Sequence, residues 1–386
     1  MHLNHISLTN FRNYEHASLD FAEQVNIFIG RNAQGKTNLL ESIYFLALAR
    51  SHRTNKDQEL IHFKKQRTQV TGSVQVRDQE VTLSLELSSR GKQAKSNHIE
   101  RKKLSEYIGT LNVIMFAPED LELVKGSPAV RRSFIDRELG QMDKVYLYHL
   151  TQYQQILKLR NEYLKQLRRK KVKDLLYLNI LTEQLAAEGA EVLARRLLFV
   201  KQLEAWASPI LADISTQQET LTLAYEASLP QLEEVLADTE PAAQVKTLYG
   251  AYLEHYETLT SREIEQGTTT IGPHRDDLSF FINEQNVQKY GSQGQQRTTS
   301  LSVKLAEIEL MKAQTGEYPI LLLDDVLSEL DDDRQTQLLY SIQKKVQIFL
   351  TTTSLEGVRT ELLTQPKLFE IEQGQVIAER SLAEKE

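Results

Sequence analysis

The spacing of apolar positions changes along this chain, and the predicted element changes with it. Leu3, Ile6 and Leu8 precede Phe11-Arg12-Asn13-Tyr14, and the run Val25-Asn26-Ile27-Phe28-Ile29 follows, so residues 1–30 read as strands. Gln69 to Val76 and Glu80 to Leu87 alternate apolar and polar residues around Arg77-Asp78-Gln79, the pattern of an antiparallel hairpin with one solvated face. Asn112 to Ala117 reads as a further buried strand, closed by Pro118. From Gln141 to Glu188 there is neither Gly nor Pro, and Leu150, Tyr153, Leu157, Leu164 and Leu167 recur at helical spacing. The pattern restarts at Leu178, Leu181, Leu185 and Val192, which predicts two helices folded back as a hairpin that turns near Lys170. Arg160, Glu188 and Arg195 interrupt its apolar seam, and both ordinary amphipathic helices and a coiled coil fit the spacing. Pro209, Pro230 and Pro241 are expected to break the helices that follow.

Directly after the apolar run ending at Ile29 comes Gly30, Arg31, Asn32, Ala33, Gln34, Gly35, Lys36 and Thr37, a complete G-x-x-x-x-G-K-[ST] loop, followed by the helical pattern from Asn38. In that context the glycines let main-chain N–H groups turn toward phosphate oxygens. Lys36 is expected to reach the β/γ-phosphates, and the Thr37 hydroxyl to hold Mg²⁺ at a helix N-terminus. The chain is therefore expected to bind ATP or GTP. Pro319-Ile320-Leu321-Leu322-Leu323-Asp324-Asp325 is the pattern of a buried parallel strand that presents carboxylates at its C-terminal end. Asp324 is expected to share the Mg²⁺ with Thr37, and Asp325 to face an attacking water. Tyr290-Gly291-Ser292-Gln293-Gly294-Gln295 is a glycine-rich turn before a helix with an apolar face of Leu301, Leu305, Ile308 and Met311. Ser292 there either caps the helix or meets a phosphate.

Composition narrows the class without naming a chemistry. The chain has 386 residues, 40% hydrophobic and 26% charged, which is the balance of a globular protein of two domains or of one domain with an insertion. The longest apolar runs, such as Ile43 to Ala49, are too short to span a bilayer, and the N-terminus lacks the pattern of a signal peptide, so a cytoplasmic protein is expected. The absence of cysteine excludes disulfides, thiol catalysis and Cys-ligated zinc, and the nine histidines show no metal-ligand spacing. With a net charge of −7, any nucleic-acid contact has to use local patches. The candidates are Arg90, Lys92, Lys95, Arg101, Lys102 and Lys103, then Arg131 and Arg132, then Arg168 to Lys171 with Lys173.

The order of P-loop, long insertion, serine-glycine-glutamine turn, apolar strand ending in Asp, and Ser328-Glu329-Leu330-Asp331 resembles the ABC-type ATPases, especially the SMC-like heads, whose D-loop looks like Ser328 to Asp331. Within that class, four stretches are similar to the RecF family of DNA replication and repair proteins. They are Asn10 to Tyr14, Val113 to Leu121 continuing to Arg132, Gly272-Pro273-His274-Arg275-Asp276-Asp277, and the Ser292 turn.

The resemblance implies an α/β fold, an ABC-type (SMC-like head) P-loop ATPase lobe with mixed sheets plus an inserted helical lobe. The ATPase lobe is expected over 1–117 and 270–386, and the helical lobe with its short hairpin over 118–269. It implies that ATP with Mg²⁺ is sandwiched between two copies, so that Ser292, Gly294 and Gln295 of one copy act in trans on the nucleotide of the other. Asn38 and Arg12 would join the nucleotide-binding set, Asp324 and Asp325 would be catalytic, and Ser328 and Asp331 would form the D-loop. The implied activity is a weak ATPase that serves as a switch: an ATP-dependent homodimer on single-stranded and gapped duplex DNA that works with RecR and RecO to help load the RecA recombinase in DNA damage repair, replication and the SOS response. No membrane partner is implied. Asp325 stands where such ATPases carry Glu, and Thr351, Thr352 and Thr353 stand where they carry a switch histidine, so slow water activation is expected and only a threonine hydroxyl remains as a sensor. Pro118-Glu119-Asp120 takes the place of the Q-loop, with no ligand assigned. The alternative, an ABC ATPase subunit driving a transporter, needs that histidine; a small-molecule kinase needs neither the Ser292 turn nor the D-loop.

Overall fold

The computed structural model describes residues 1–237, 243–325, 342–355 and 363–381. The chain divides into two compact units: Met1–Asp120 with Glu307–Glu386, and Leu121–Ala306. In the first unit the chain forms β1 (His2–Phe11), β2 (Tyr14–Asp20), β3 (Val25–Ile29) and α1 (Lys36–Leu48), then β4 (Arg67–Val76), β5 (Gln79–Ser88), β6 (Gly91–Ser96), β7 (Ile99–Arg101), α2 (Leu104–Tyr107) and β8 (Val113–Phe116). The second unit holds α3 (Glu122–Lys125), α4 (Pro128–Met142), α5 (Lys144–Arg168), α6 (Leu175–Ile214), β9 (Leu221–Glu226), α7 (Leu232–Leu236), α8 (Gln244–Gln266), β10 (Asp277–Ile282), β11 (Gln285–Asn286) and α9 (Val287–Tyr290). The division between units falls inside α10 (Gln293–Thr315), and β12 (Ile320–Asp324), β13 (Ile348–Thr352), β14 (Lys367–Glu372) and β15 (Gln375–Ser381) complete the first unit.

Two sheets build the first unit. One is antiparallel, in the order β2-β1-β4-β5-β6-β7, and contains the predicted hairpin, with Val76 opposite Gln79. The other has the order β15-β14-β3-β13-β12-β8 and is parallel from β14 to β8, with β15 antiparallel at its edge. A single apolar core joins them, with Leu3, Ile6 and Leu8 from one sheet, Phe28, Leu322 and Phe349 from the other, and Leu39, Leu40, Ile43 and Phe45 of α1 packed among them. Ten of the thirteen residues of α1 from Leu39 to Leu48 are buried without interruption, which is the behaviour of a core helix rather than a surface one.

In the second unit α5 and α6 form the predicted hairpin, and the basic run lies in the turn between them. The charged residues in its seam have partners. Arg160 is fully buried and meets Glu263 of α8 at 2.7 Å, Thr182 and Thr269, while His149 meets Glu188 at 2.7 Å and Arg195 meets Asp143 at 2.8 Å. A third helix, α8, thus supplies what a two-stranded seam lacks.

Two expectations are corrected. The return to the ATPase unit was placed at residue 270, whereas the structure places it at Glu307. The reason is that β10 pairs antiparallel with β9, and Asp276 holds Ser228 through both its N–H and its hydroxyl at 2.7 Å, so 270–306 packs with the helical unit. Pro209 does not end a helix but lies inside α6, which continues to Ile214. Ala207 and Leu211 on either side are fully buried, and their packing outweighs the one intrahelical hydrogen bond that proline removes.

Candidate nucleotide-binding site

The loop Gly30–Thr37 leaves the C-terminal end of β3 and enters α1, at the edge where open parallel sheets bind ligands. Ala33 and Gly35 take left-handed φ of +63° and +118°, the alternation that turns successive N–H groups to one side as an anion nest. Only glycine fits at position 35, because a Cβ there would lie 2.7 Å from Asn13 Nδ2. At Gly30 a Cβ would run into the carbonyl oxygen of Ile371. The loop is braced from outside by the β1–β2 turn: the Tyr14 hydroxyl donates to Gly35 O at 3.0 Å, and Asn13 donates to Gln34 O at 3.2 Å. Asn38 donates to Asn13 Oδ1 at 2.8 Å and accepts from Arg53 at 3.0 Å. Arg31 and Asn32 are exposed at the crest.

Lys36 Nζ folds back and donates to Gly30 O at 2.6 Å and Arg31 O at 3.0 Å, which leaves an ammonium proton for an incoming oxygen. Burial lowers its pKa from the ordinary lysine value, opposed by the charges of Asp325 and Asp324. At the end of β12, Asp324 Oδ1 accepts from the Thr37 hydroxyl at 3.0 Å and from the Thr351 hydroxyl at 2.8 Å. The strand order explains this convergence: β13 lies between β3 and β12, and its Thr351 is in register with Asp324. Thr351 Oγ1 in turn accepts from the Asp325 N–H at 3.0 Å. Asp325 is exposed, with a left-handed φ of +54°. A buried carboxylate oxygen beside a threonine hydroxyl is the hard-oxygen donor set that Mg²⁺ takes.

Arg12, at the end of the β1–β2 turn, has φ of +51°. Its Nε and NH2 donate to the two carboxylate oxygens of Glu41 at 2.8 Å each, and its NH1 donates to Glu59 O at 2.8 Å. Glu41 is fully buried on α1 and also accepts from the Ser51 hydroxyl. Burial alone would raise the Glu41 pKa, but the hydrogen bonds from Arg12 and Ser51 and the Arg12 charge outweigh it and hold the carboxyl below its usual value.

In the second unit, Ser292 and Gln295 open α10 as a reciprocal capping box. The Gln295 N–H donates to Ser292 Oγ at 3.2 Å, and the Ser292 N–H donates to Gln295 Oε1 at 2.9 Å. Ser292 and Gly294 are exposed, and Gln295 also donates to Glu219 at 2.8 Å. Ser328 and Asp331 lie outside the described residues. Of the basic candidates, Arg131 belongs to the interior, bonded to Asp277 at 2.6 and 2.8 Å, and Lys92 pairs with Asp57 at 2.8 Å. Sequence reasoning left Glu41, Ser51 and Tyr14 unseen and gave Thr351 only as one of the threonines in the place of a switch histidine, without its bond to Asp324; for Glu41 there was no signal.

A P-loop and an acidic strand end on one parallel sheet, a buried helix shared with an antiparallel sheet, and a helical insertion carrying a serine-glycine-glutamine turn define an ABC-type, SMC-like ATPase head. The family model described as RecF/RecN/SMC N terminal domain matches residues 2–374. A DNA replication and repair protein RecF of Latilactobacillus sakei is 57% identical over 381 residues, 99% of this chain and 100% of that protein. Its counterpart in Enterococcus faecalis is 54% identical over 376 residues, 97% and 98% of the two chains. The chain belongs to the RecF family. Among solved structures, the recombination mediator protein RecF with ATPrS in the RecFOR pathway superposes with a TM-score of 0.89 at 33% identity, covering 99% of this chain and 98% of that one. An SMC head of Pyrococcus furiosus, 16% identical with a TM-score of 0.54, shares the fold. The transporter reading is without support from these relatives, and among the described residues no helix is long and apolar enough to cross a membrane.

Proposed function

We propose that this chain is an ATP-dependent DNA-binding protein of recombinational repair whose weak ATPase times assembly on DNA. The observation that carries the reading is the convergence of Thr37, Asp324 and Thr351 at one carboxylate oxygen beside the P-loop nest. Main-chain N–H groups of Gly30–Thr37 and the Lys36 ammonium bind the phosphates, and Thr37 with Asp324 would hold Mg²⁺, which would supply neutralisation of phosphate charge. Asp325, one methylene shorter than glutamate, orients water poorly, which keeps turnover slow. Arg12 serves the nucleotide by fixing α1 through Glu41.

Ser292, Gly294 and Gln295 of a second copy meet the γ-phosphate in trans, so ATP favours the dimer and hydrolysis releases it. The exposure of Ser292 and Gly294 at the start of α10 leaves this turn accessible to a second copy. The DNA recognised is single-stranded or gapped duplex, the partners are RecR- and RecO-type mediators that place RecA, and the compartment is the cytoplasm. Light scattering of the purified protein with ATP or ADP, with and without gapped DNA, tests the reading. ATP-specific dimers that DNA stabilises, and that Ser292→Arg abolishes while ATP still binds, are the expected result. Equal dimerisation by wild type and Ser292→Arg refutes the sandwich.

A further inference from the structure

Phe63 is 79% exposed, more than any other large hydrophobic side chain among the described residues. It stands at the crest of a tight turn closed by the Lys65 N–H donating to His62 O at 3.0 Å, and Lys64 beside it takes a left-handed φ of +65°. The base of this turn is fixed. Ile61 bridges Phe11, the His62 N–H donates to Asn10 O at 2.8 Å, and the Arg12 N–H donates to Leu60 O at 2.8 Å. A rigid base that lifts an aromatic ring into water, through a non-glycine residue in a sparsely populated conformation, serves no packing purpose.

The surroundings say what the ring is for. His62, Lys64, Lys65, Gln66 and Arg67 flank it, and the Lys64 ammonium lies 5.6 Å from the ring centroid. Lys65 and Arg67 make only long, exposed pairs, 3.6 Å to Glu15 and 3.7 Å to Glu86, which exchange readily for phosphate. From Arg50 to Arg67 six basic residues face two acidic ones, in a chain whose net charge is −7. A protein hot spot is ringed by contacts that exclude water, whereas this ring is bordered by hydrated cations. Unpaired nucleic acid needs the opposite arrangement: one free aromatic face for a base and adjacent cations for its backbone.

We propose that the turn His62–Lys65 docks unpaired bases, with Phe63 as the stacking surface and Lys64, Lys65 and Arg67 as phosphate contacts. The proposal rests on the DNA-binding reading above and assigns its preference for gaps to one residue. In an intact duplex the bases are stacked on one another, so Phe63 adds nothing there.

The test measures binding, with Mg·ATP present, of fluorescein-labelled gapped duplex, blunt duplex of equal length and oligothymidylate. Phe63→Ala is expected to weaken gapped duplex and oligothymidylate roughly 5- to 100-fold and to leave blunt duplex within about twofold. The Lys64→Ala, Lys65→Ala double variant is expected to weaken all three and to flatten the salt dependence by about two phosphate contacts. In a Trp206→Phe background, Phe63→Trp is expected to lose emission when oligothymidylate binds. Unchanged binding of gapped duplex by Phe63→Ala, unquenched emission, or a loss confined to a protein partner overturns the proposal while leaving the DNA reading standing. Failure of the wild type to bind any of the three DNAs removes that reading itself. ATP binding by each variant confirms that it is folded.

Discussion

Replacing Arg12 by Ala separates a structural from a nucleotide-contacting role for this residue. The substitution removes both charge-assisted hydrogen bonds on Glu41, each 2.8 Å long, and leaves a fully buried carboxylate with Ser51 as its remaining neutral donor. Orphaning one member of a buried ion pair costs about 3–5 kcal/mol. For a unit of this size that corresponds to a drop in Tm on the order of 10 °C. In the variant, Glu41 has lost the Arg12 hydrogen bonds and charge and keeps only the weaker help of Ser51 and His52, so burial is expected to raise the folded value above the unfolded one. Stability is then greatest below the unfolded carboxyl range and declines as pH rises, so the deficit relative to wild type is larger at pH 8 than at pH 5. Calorimetry at the two pH values measures both effects. The Arg12→Met, Glu41→Met pair, which leaves no buried charge, is expected to regain most of the stability and to bind ATP within about threefold of wild type, the two sites being coupled as a pair. A double variant that folds like wild type but has lost ATP affinity more than tenfold would refute this reasoning and make Arg12 a phosphate ligand.

Thr351→Val removes the hydroxyl that both orients Asp324 and accepts the Asp325 N–H; a drop of about tenfold or more in Mg-ATPase rate with ATP affinity nearly retained is expected, with Thr351→Ser restoring the rate in a steady-state assay. Gly35→Ala meets Asn13 and an unfavourable φ of +118°, so isothermal titration is expected to find no ATP binding, together with a loss of about 1–3 kcal/mol in stability. His274 accepts from or donates to Tyr153 at 2.6 Å, and burial lowers its pKa to about 4. The unfolded state then takes up a proton near the ordinary 6.5 that the folded state refuses, so stability of the helical unit is expected to fall by up to about 3 kcal/mol as pH drops from 6.5 to 4. Denaturant titrations of His274→Gln should lose that part of the slope.

The readable parts of this chain are those whose signal is local. The P-loop needs glycine at fixed positions next to an apolar strand, the β4–β5 hairpin shows its alternation within twenty or so residues, and the α5–α6 turn is marked by the polar run at Arg168–Lys171. What sequence reasoning misplaced depends on pairing at a distance. The return to the ATPase unit was set at 270 from the family resemblance, whereas β9 captures β10 and carries the segment with the helical unit. Arg12 is 29 residues from Glu41, and the spacing gave no reason to join them. Thr351 was visible only as the place where a histidine is lacking; its contact with Asp324 follows from β13 lying between β3 and β12, which no local pattern encodes.

The same connections bear on how slow chemistry can control assembly. Helix α1 carries Lys36 and Thr37 at its first turn and Glu41 one turn later, and it is buried along nearly its whole length. Close packing leaves such a helix little freedom to slide. Its start is tied to the parallel sheet through Thr37 and Asp324, and its next turn to the antiparallel sheet through Glu41 and Arg12. Arg12 also holds the Glu59 carbonyl, four residues before Phe63. Arg12 therefore sits between the helix that begins at the phosphate loop and the segment that leads into the exposed turn at Phe63. If this arginine couples nucleotide state to the proposed base-stacking surface, weakening the Arg12–Glu41 pair reduces the ATP dependence of DNA binding before it reduces ATP binding itself; parallel titrations of Glu41→Gln with nucleotide and with gapped DNA measure this, and an unchanged ATP dependence refutes the coupling.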